Sequence, residues 1–245
     1  QRKGNRTDMR RDVVDLKRFY DSPMGQSARE VISRRIRSLW PDARNLDMAG
    51  IGYAGPYLAP YRDNARRLIA AMPAEQGAEC WPETGPCASC LVEEAALPFR
   101  DASFDRVIVA HGLEESDALR AMLAEIWRIC AGEARIILIA PNRVGLWALS
   151  DSSPFGHGRP FTRIQLARLL RDGGFEPQAW SHTLYTPPAR WGAVVKSAAG
   201  FEAVGELLLP GLGGVILVEA RKRVPAPPRG LRAPAYTPAA AAARA

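Results

Sequence analysis

The stretch that decides the fold is Arg44-Asn-Leu-Asp-Met-Ala-Gly-Ile-Gly-Tyr-Ala-Gly-Pro-Tyr57. An apolar run enters a group of three glycines, Gly50, Gly52 and Gly55, and a polar helical pattern follows. Glycine permits positive φ and lets a ligand approach the backbone closely, and the amides at the start of a helix suit an anionic or polar ligand. The stretch therefore predicts a buried strand, a tight turn and a helix start. It fits both a nucleotide pocket and an ordinary strand-to-helix turn.

Strands and helices alternate along the rest of the chain. Ser22-Pro23 separates two amphipathic helices near the N-terminus, Gly132 and Gly173-Gly174 are expected to end later helices, and Thr162 with Gln165 predicts a capping box. We expect helices at about 12–20, 26–40, 56–66, 115–131, 163–171 and 190–207. We expect strands at about 44–49, 67–72, 89–92, 105–110, 135–140, 177–185 and 214–220. Continuous apolar strands between helices predict parallel strands that are buried on both faces.

The length and composition predict one α/β domain with appendages. The chain has 245 residues and is 47% hydrophobic, which is enough for one large core. We predict an N-terminal extension at 1–8, a helical cap at 9–41 and the main domain at 42–223. Residues 224–245 are rich in Pro, Ala and Arg and lack an apolar period, which predicts a disordered tail.

The net charge of +7 is concentrated at the two ends of the chain. Residues 1–37 and 221–245 are both strongly basic, so the region between them is net negative. Basic ends can add weak, salt-dependent attraction to polyanions, but we interpret them as solvated tails and expect no specific nucleic-acid partner. We find neither an apolar run long enough for a membrane span nor a signal peptide, and we expect a cytoplasmic protein with reduced thiols.

Several segments beyond the glycine stretch match one known pattern. They are Glu93-Glu-Ala-Ala-Leu-Pro-Phe99, Ser103-Phe-Asp105, Leu113-Glu114, Glu125-Ile-Trp-Arg128 and the Phe-Thr, Leu and Gly-Phe positions within 161–175. Together with the strands beside them they resemble the class I S-adenosylmethionine-dependent methyltransferases, in particular the type 11 or UbiE-like group. The resemblance covers roughly residues 40–220.

This resemblance implies both a fold and a cofactor. The fold would be Rossmann-like, with three α/β/α layers and a seven-stranded, mostly parallel sheet that carries an antiparallel C-terminal strand. S-adenosylmethionine would lie over the carboxyl ends of the parallel strands, where Glu93 would accept a hydrogen bond from the adenine amine and Ala95 would supply the adjoining amide. The cofactor-binding residues that we expect are Gly50, Gly52, Tyr53, Glu93, Glu94, Ala95 and Ala110.

The cofactor motif departs from the family pattern at Ala54, where a third glycine is usual, and at two acids. Met48 stands where the family has an acid before its glycines, and Asp47 is one residue away, so on a strand it faces the other side. The second strand ends at Pro73 without the carboxylate that binds the ribose hydroxyls, and Glu75 is the nearest substitute. Losing a charged hydrogen bond weakens binding by roughly 1.5–3 kcal/mol. Binding would then depend on the loop backbone, Glu93 and aromatic packing from Tyr20, Tyr53 or Tyr57.

Histidines and cysteines provide the other candidate chemistry. His111 follows the fourth strand, so it would face the acceptor pocket, where it could orient or deprotonate a methyl acceptor or simply be structural. His157 lies on a loop that could close over the site. Cys80, Cys87 and Cys90 form C-x6-C-x2-C, which is less than the two knuckles of a usual zinc site, so we predict no metal.

Three functions are compatible with these residues. The first is an S-adenosylmethionine-dependent methyltransferase acting on a small-molecule acceptor, and the second is a binding or regulatory protein with a degenerate version of this fold. The third is an NAD(P)-dependent oxidoreductase, which the glycine stretch alone would suggest. We expect the acceptor pocket to be formed by the N-terminal helices, the loop 142–161 and the insertion 186–213.

Overall fold

The computed structural model describes residues 10–188 and 198–224. The predicted extension 1–8, nearly all of the predicted tail and the start of the predicted helix at 190–207 lie outside these residues. The division of the chain into cap, domain and tail therefore stays a prediction. In the described part of the chain, no helix is long and apolar enough to cross a membrane.

Seven strands form one mixed sheet flanked by helices. The strands are β1 (Asp47–Gly52), β2 (Arg67–Pro73), β3 (Ser89–Val92), β4 (Phe104–Ala110), β5 (Cys130–Pro141), β6 (Phe175–Thr183) and β7 (Val215–Lys222). The helices are α1 (Val13–Asp21), α2 (Pro23–Leu39), α3 (Gly55–Leu58), α4 (Leu119–Ile129), α5 (Arg163–Asp172) and α6 (Ala198–Leu208). The strand order is β3-β2-β1-β4-β5-β7-β6, with β1 to β5 parallel and β7 antiparallel to both of its neighbours. This arrangement confirms the predicted fold class.

Both faces of the sheet are buried, as the continuous apolar strands predict. On β5, Ile137 and Ile139 pack into the cluster that contains α1, α2 and α3, whereas Ile136 and Leu138 pack into the cluster that contains α4 and α5. Successive side chains of a strand point to opposite faces, so a central strand with helices on both sides needs an unbroken apolar run.

Side-chain caps start two of the helices. The Ser22 hydroxyl accepts the Gly25 amide and thereby starts α2, while Ser22 also ends α1. Thr162 and Gln165 form the predicted capping box at the start of α5. These local hydrogen bonds fix where the helices meet the loops around the sheet.

The first strand lies three residues later than predicted and contains two of the glycines. It begins at Asp47 and ends at Gly52, so Gly50 and Gly52 pair with β2 or β4 instead of following the strand. The predicted bounds of 44–49 are wrong because glycine has no side chain, so the strand can continue through Gly50 and Gly52 beneath the next helix.

Two helices are shorter than predicted. The helix expected at 56–66 ends at Leu58 and continues only as a 3-10 turn over residues 59–61. Pro60 has no amide hydrogen to donate, so a longer α-helix cannot form across it. The helix expected at 115–131 is α4, and Gly132 lies inside β5 instead of ending a helix, because Cys130 already has an extended backbone.

An ion pair on α4 holds the loop that follows β3. Glu125 accepts the Leu97 amide at 2.7 Å, and Arg128 donates to the carbonyls of Leu97 and Phe99 at 2.8 and 2.7 Å. The Glu-x-x-Arg and Leu-Pro-Phe segments of the sequence pattern are therefore structural partners. Together they position the loop that carries Glu93 and Glu94.

Candidate active site

The carboxyl ends of four parallel strands meet at one edge of the sheet. The turn after β1, the loop after β2, the acids after β3 and the residues after β4 all lie along this edge, since parallel strands end on the same side. The Tyr53 amide donates to the carbonyl of Ala110 at 2.8 Å, which joins the β1 turn to the end of β4. This edge is where the expected site residues come together.

The two strand glycines are required by close packing. Gly52 has a φ of +81°, and a Cβ there would lie 2.2 Å from the carbonyl oxygen of Ala110. A Cβ on Gly50 would lie 2.6 Å from the Cβ of Ala54 and 2.7 Å from Leu58. These contacts are with the protein itself, so cofactor contact by Gly50 and Gly52 stays a prediction.

His111 follows β4 in a left-handed backbone conformation, with φ of +50°. Its side chain is 2% exposed, and its Nδ1 lies 3.2 Å from Oε1 of Glu114. Its Nε2 lies 2.7 Å from the hydroxyl of Tyr20. A non-glycine residue persists in this backbone region only when its surroundings hold it there, and such residues cluster at functional sites.

The Tyr20 hydroxyl continues this chain to Tyr57. Their two hydroxyl oxygens are 2.7 Å apart, and both side chains are buried. Burial raises the pKa of Tyr20 well above its usual range and raises that of Tyr57 as well. Both phenols are therefore neutral, and an unprotonated Nε2 of His111 can accept the Tyr20 proton while Tyr20 accepts from Tyr57.

Glu114 places a buried carboxylate behind the imidazole. It is 2% exposed, and neither of its oxygens has a hydrogen-bond partner among the described residues. The 3.2 Å approach to His111 is thus a close charge contact without hydrogen-bond alignment. The carboxylate therefore lies next to the imidazole in a buried position. We name the set Glu114, His111, Tyr20 and Tyr57 the relay.

Helix α1 covers the edge of the sheet. The Val13 amide donates to the Gln76 carbonyl at 2.8 Å, and Leu16 is fully buried. The Tyr20 ring stacks on Tyr53 at a centroid distance of 5.6 Å. The β1 turn is consequently buried beneath the N-terminal helix.

Gln76 is a site residue that the sequence did not reveal. It is fully buried, and its Nε2 donates to the carbonyl of His111 at 3.0 Å, so its side chain extends from the loop after β2 toward the end of β4. Because that carbonyl can only accept, the amide oxygen of Gln76 faces elsewhere, and it has no hydrogen-bond partner among the described residues. Its only sequence signal is its position three residues after Pro73.

The two acids near the departed motif positions lie at opposite edges of the sheet. Asp47 is at the amino end of β1, where it forms ion pairs with Arg66 and Arg67 at 2.9 and 3.1 Å. Those arginines lower the pKa of Asp47. Glu75 is exposed. Its neighbour Gln76, in contrast, is fully buried in the loop after β2.

The acids after β3 differ from one another in their contacts. Glu94 receives the Arg10 guanidinium at 2.7 Å and also the Ser116 hydroxyl, whereas Glu93 and Ala95 are exposed. Arg10 is itself only 4% exposed and also donates to the carbonyl of Gly112 at 3.3 Å. The N-terminal segment thus contacts one of the two acids expected to bind adenine.

Glu115 lies beside the relay and has an unusual charge state. Its side chain is 6% exposed, and burial, with the nearby Glu114 carboxylate, raises the pKa of Glu115 to about 7. Arg10, His111 and the Arg11 amide oppose this shift without cancelling it. The folded protein therefore binds a proton at Glu115 that the unfolded chain releases above its ordinary pKa of 4.5.

Replacing Glu115 by glutamine should remove a pH dependence of stability. Between about pH 5 and pH 7 the folded state retains this proton while the unfolded state loses it, so the free energy of unfolding should fall as pH rises. The decrease should reach up to about 3 kcal/mol. Urea unfolding at several pH values measures it, and the exposed neighbour substitution Asp117→Asn should keep the slope. An unchanged slope in Glu115→Gln would contradict the assignment.

A cavity of about 430 Å³ lies between the N-terminal helices and the loop after β5. Its apolar wall includes Phe19, Met24 and Pro154, and its polar rim includes Arg18 and Asp151. This volume is in the range of small-molecule sites.

Two aromatic rings separate this cavity from the relay. Phe19 packs edge-on against Phe155 at 6.2 Å, and Phe155 lies 4.8 Å from His111. His157 lies on the same loop, and its Nδ1 is 2.9 Å from Nη2 of Arg11. It therefore contacts Arg11 instead of the relay. The loop thus contributes an aromatic wall to the site.

Comparisons with known proteins agree with this geometry. A profile of the methyltransferase domain family matches residues 47–138, which span β1 and most of β5. No curated protein matches the chain significantly.

Solved structures extend the likeness to most of the chain. A possible histamine N-methyltransferase from Thermotoga maritima is 18% identical, with a TM-score of 0.62 over 86% of this chain and 96% of its own. A 1,6-didemethyltoxoflavin-N1-methyltransferase from Burkholderia thailandensis, solved with S-adenosylhomocysteine, is 18% identical, with a TM-score of 0.51 over 86% and 85%. The cyclase SpnF is 20% identical, with a TM-score of 0.56 over 82% of each chain. Residues 47–138 therefore match the methyltransferase domain family, and the whole sheet has the fold of the class I S-adenosylmethionine-dependent methyltransferases.

Proposed function

We propose that this protein transfers a methyl group from S-adenosylmethionine to a small-molecule acceptor whose reacting atom gives up a proton. The observation that carries the proposal is the relay, a buried chain of hydroxyl, imidazole and carboxylate groups at the carboxyl end of β4. A structural histidine would need neither the left-handed backbone nor a buried carboxylate without hydrogen-bond partners.

The described residues offer suitable contacts for the cofactor. The amide oxygen of Gln76 is a buried acceptor without a partner, and it extends toward the end of β4, so it can accept a ribose hydroxyl in place of the missing acid. Glu93 and Glu94 supply carboxylates after β3 for the adenine amine, and the backbone around Gly52 and Tyr53 supplies the remaining contacts. When bound, the cofactor supplies an electrophilic methyl group on a sulfonium.

Access to these residues requires α1 to move. Gly52, Tyr53 and Gln76 are buried under α1 as the structure stands. Arg10 would release Glu94 in the same movement, since both contacts belong to one N-terminal segment. Closure of the segment after binding would exclude water from the relay.

The relay assigns a role to each of its side chains. Tyr57 donates to Tyr20 and holds its hydroxyl in place, and Tyr20 passes a proton from the acceptor to Nε2 of His111. The carboxylate of Glu114 stabilises the imidazolium that forms. The acceptor class is therefore a hydroxyl or amine on a compact apolar body. We propose that it enters through the 430 Å³ cavity, whose Phe19 wall and charged rim suit such a molecule.

Replacing Gln76 by leucine should weaken binding of S-adenosylhomocysteine about three- to tenfold, which corresponds to one neutral hydrogen bond. Isothermal titration calorimetry on protein shown to be folded by its unfolding transition measures the change. Glu75→Gln is the matched control, since Glu75 is exposed and should leave affinity unchanged. Equal affinities of wild type and Gln76→Leu would show that Gln76 does not contact the ligand.

The same titration separates this proposal from its alternative. A binding or regulatory protein is favoured by the covered β1 turn and by the end of β2 without a carboxylate. If neither S-adenosylmethionine nor S-adenosylhomocysteine binds at near-millimolar concentration, the alternative is the better description. A cytoplasmic location stays part of the proposal, because it keeps the four cysteines reduced.

A further inference from the structure

The loop between β2 and β3 brings two cysteines together. The hydroxyl of Ser89 donates to the carbonyl of Glu79 at 2.6 Å and accepts the Trp81 amide at 3.1 Å. The same oxygen lies 3.3 Å from the sulfur of Cys87. Cys80 stands between Glu79 and Trp81, so the Ser89 hydroxyl oxygen contacts Cys87 and both chain neighbours of Cys80.

Backbone contacts close the loop at the same point. The amide of Ala88 donates to the carbonyl of Trp81 at 2.6 Å, so the residues that follow the two cysteines are directly joined. Cys80 and Cys87 are both exposed free thiols on the two sides of this closed loop. The arrangement presents a thiol pair to solvent.

The two thiols differ in acidity. Hydrogen bonds from Cys80 and Ser89 lower the pKa of Cys87 to about 7, whereas the contact with Cys87 raises the pKa of Cys80. Burial raises the pKa of Cys90 and brings that of Cys130 to about 12. At neutral pH the reactive thiolate is therefore at Cys87, with Cys80 as its neighbour.

We propose that Cys80 and Cys87 form a reversible, peroxide-sensitive dithiol–disulfide site. The Cys87 thiolate attacks one oxygen of hydrogen peroxide, an S–O bond forms, the O–O bond breaks and hydroxide leaves. The Cys80 sulfur then attacks the sulfenic sulfur, the S–S bond forms, the S–O bond breaks and water leaves. One peroxide is reduced to two waters, two thiols are oxidised, and an external dithiol reverses the change.

The position of the loop connects this site to the glycine turn and α1. Trp81 packs on Gly55, where a Cβ would lie 2.9 Å from the indole, and Glu79 accepts the Tyr53 hydroxyl at 2.7 Å. Lys17 of α1 lies 3.4 Å from Glu79 and also pairs with Glu83 in the loop. Oxidation therefore occurs on the segment that holds α1 and Tyr53 in place.

Thiol counting and intact-mass spectrometry of the full chain treated with hydrogen peroxide test the proposal. Wild type should lose two of its four thiols and two hydrogens in mass, with a peptide linking Cys80 to Cys87, and dithiothreitol should restore both thiols. Cys80→Ser should stop at a sulfenic acid that dimedone traps on Cys87. Cys87→Ser should react at least roughly fivefold more slowly at pH 7, because the remaining thiols are less ionised.

The matched control is Cys90→Ser, which should behave as wild type. Any of three results would overturn the proposal. They are a disulfide that links Cys87 to Cys90, four thiols still free after peroxide treatment, and unchanged kinetics in Cys87→Ser. None of these measurements uses S-adenosylmethionine, so their outcome is independent of the proposed methyl transfer.

Discussion

Replacing Gly52 by alanine should destabilise the protein by about 2–5 kcal/mol. The alanine would have to adopt a φ near +81°, and its Cβ would lie 2.2 Å from the backbone oxygen of Ala110. Left-handed strain costs about 1–3 kcal/mol, and overpacking adds a similar amount. The contacted atom belongs to a central strand, so it cannot rotate away as a flexible side chain would. Urea unfolding of the two proteins measures the difference.

Gly132→Ala is the matched control for this experiment. A Cβ at Gly132 would meet nothing within 4 Å, so its effect should stay within about 0.5 kcal/mol. If Gly52→Ala were as stable as Gly132→Ala, the β1 turn would differ from the one described. The comparison also shows that lost ligand binding in a bulky Gly52 variant would report misfolding before it reported a lost cofactor contact.

Removing the imidazole of His111 should lower methyl transfer about 10²–10⁴-fold, which is the usual contribution of a general base. His111→Gln keeps a polar side chain of similar length. Transfer of a radiolabelled methyl group from S-adenosylmethionine to a panel of small phenols and amines measures the rate. Affinity for S-adenosylhomocysteine should stay within about threefold, because the proposed roles of the relay concern the acceptor.

Glu114→Gln separates a positioning role from a purely structural one. Loss of the anion removes stabilisation of the imidazolium that forms during transfer, so the rate should fall, though less than in His111→Gln. Glu114→Asp should restore part of the wild-type rate. A Glu114→Gln protein that unfolds at lower urea concentration but transfers methyl groups at the wild-type rate would indicate that Glu114 only supports the fold.

The fold could be predicted because it depends on local and repetitive signals. The apolar run 135–140 can only be a strand buried on both faces, and Thr162 with Gln165 specifies the start of a helix without reference to distant residues. Element bounds were less accurate where packing overrides propensity. Gly50 looked like the end of a strand, but its missing side chain lets Leu58 pack on the sheet.

The candidate site was harder to predict because its parts are distant in sequence. His111 could be identified from its position after a strand, but nothing local indicates that Tyr20 reaches its Nε2. Gln76 is uncharged, whereas the family pattern has an acid that binds the ribose, so the sequence points to the exposed neighbour Glu75 instead. The side-chain amide oxygen of Gln76, which has no hydrogen-bond partner among the described residues, can be recognised only once the chain is folded.

The position of Tyr20 has a consequence for how the molecule is assembled. Its hydroxyl contacts lie 37 residues away at Tyr57 and 91 residues away at His111. Contacts of such long separation form late, since a large loop must close before they contribute stability. The contacts of Tyr20 therefore cannot be completed until both Tyr57 and His111 are in place. Closure of this edge by α1 thus depends on parts of the chain that are far apart in sequence.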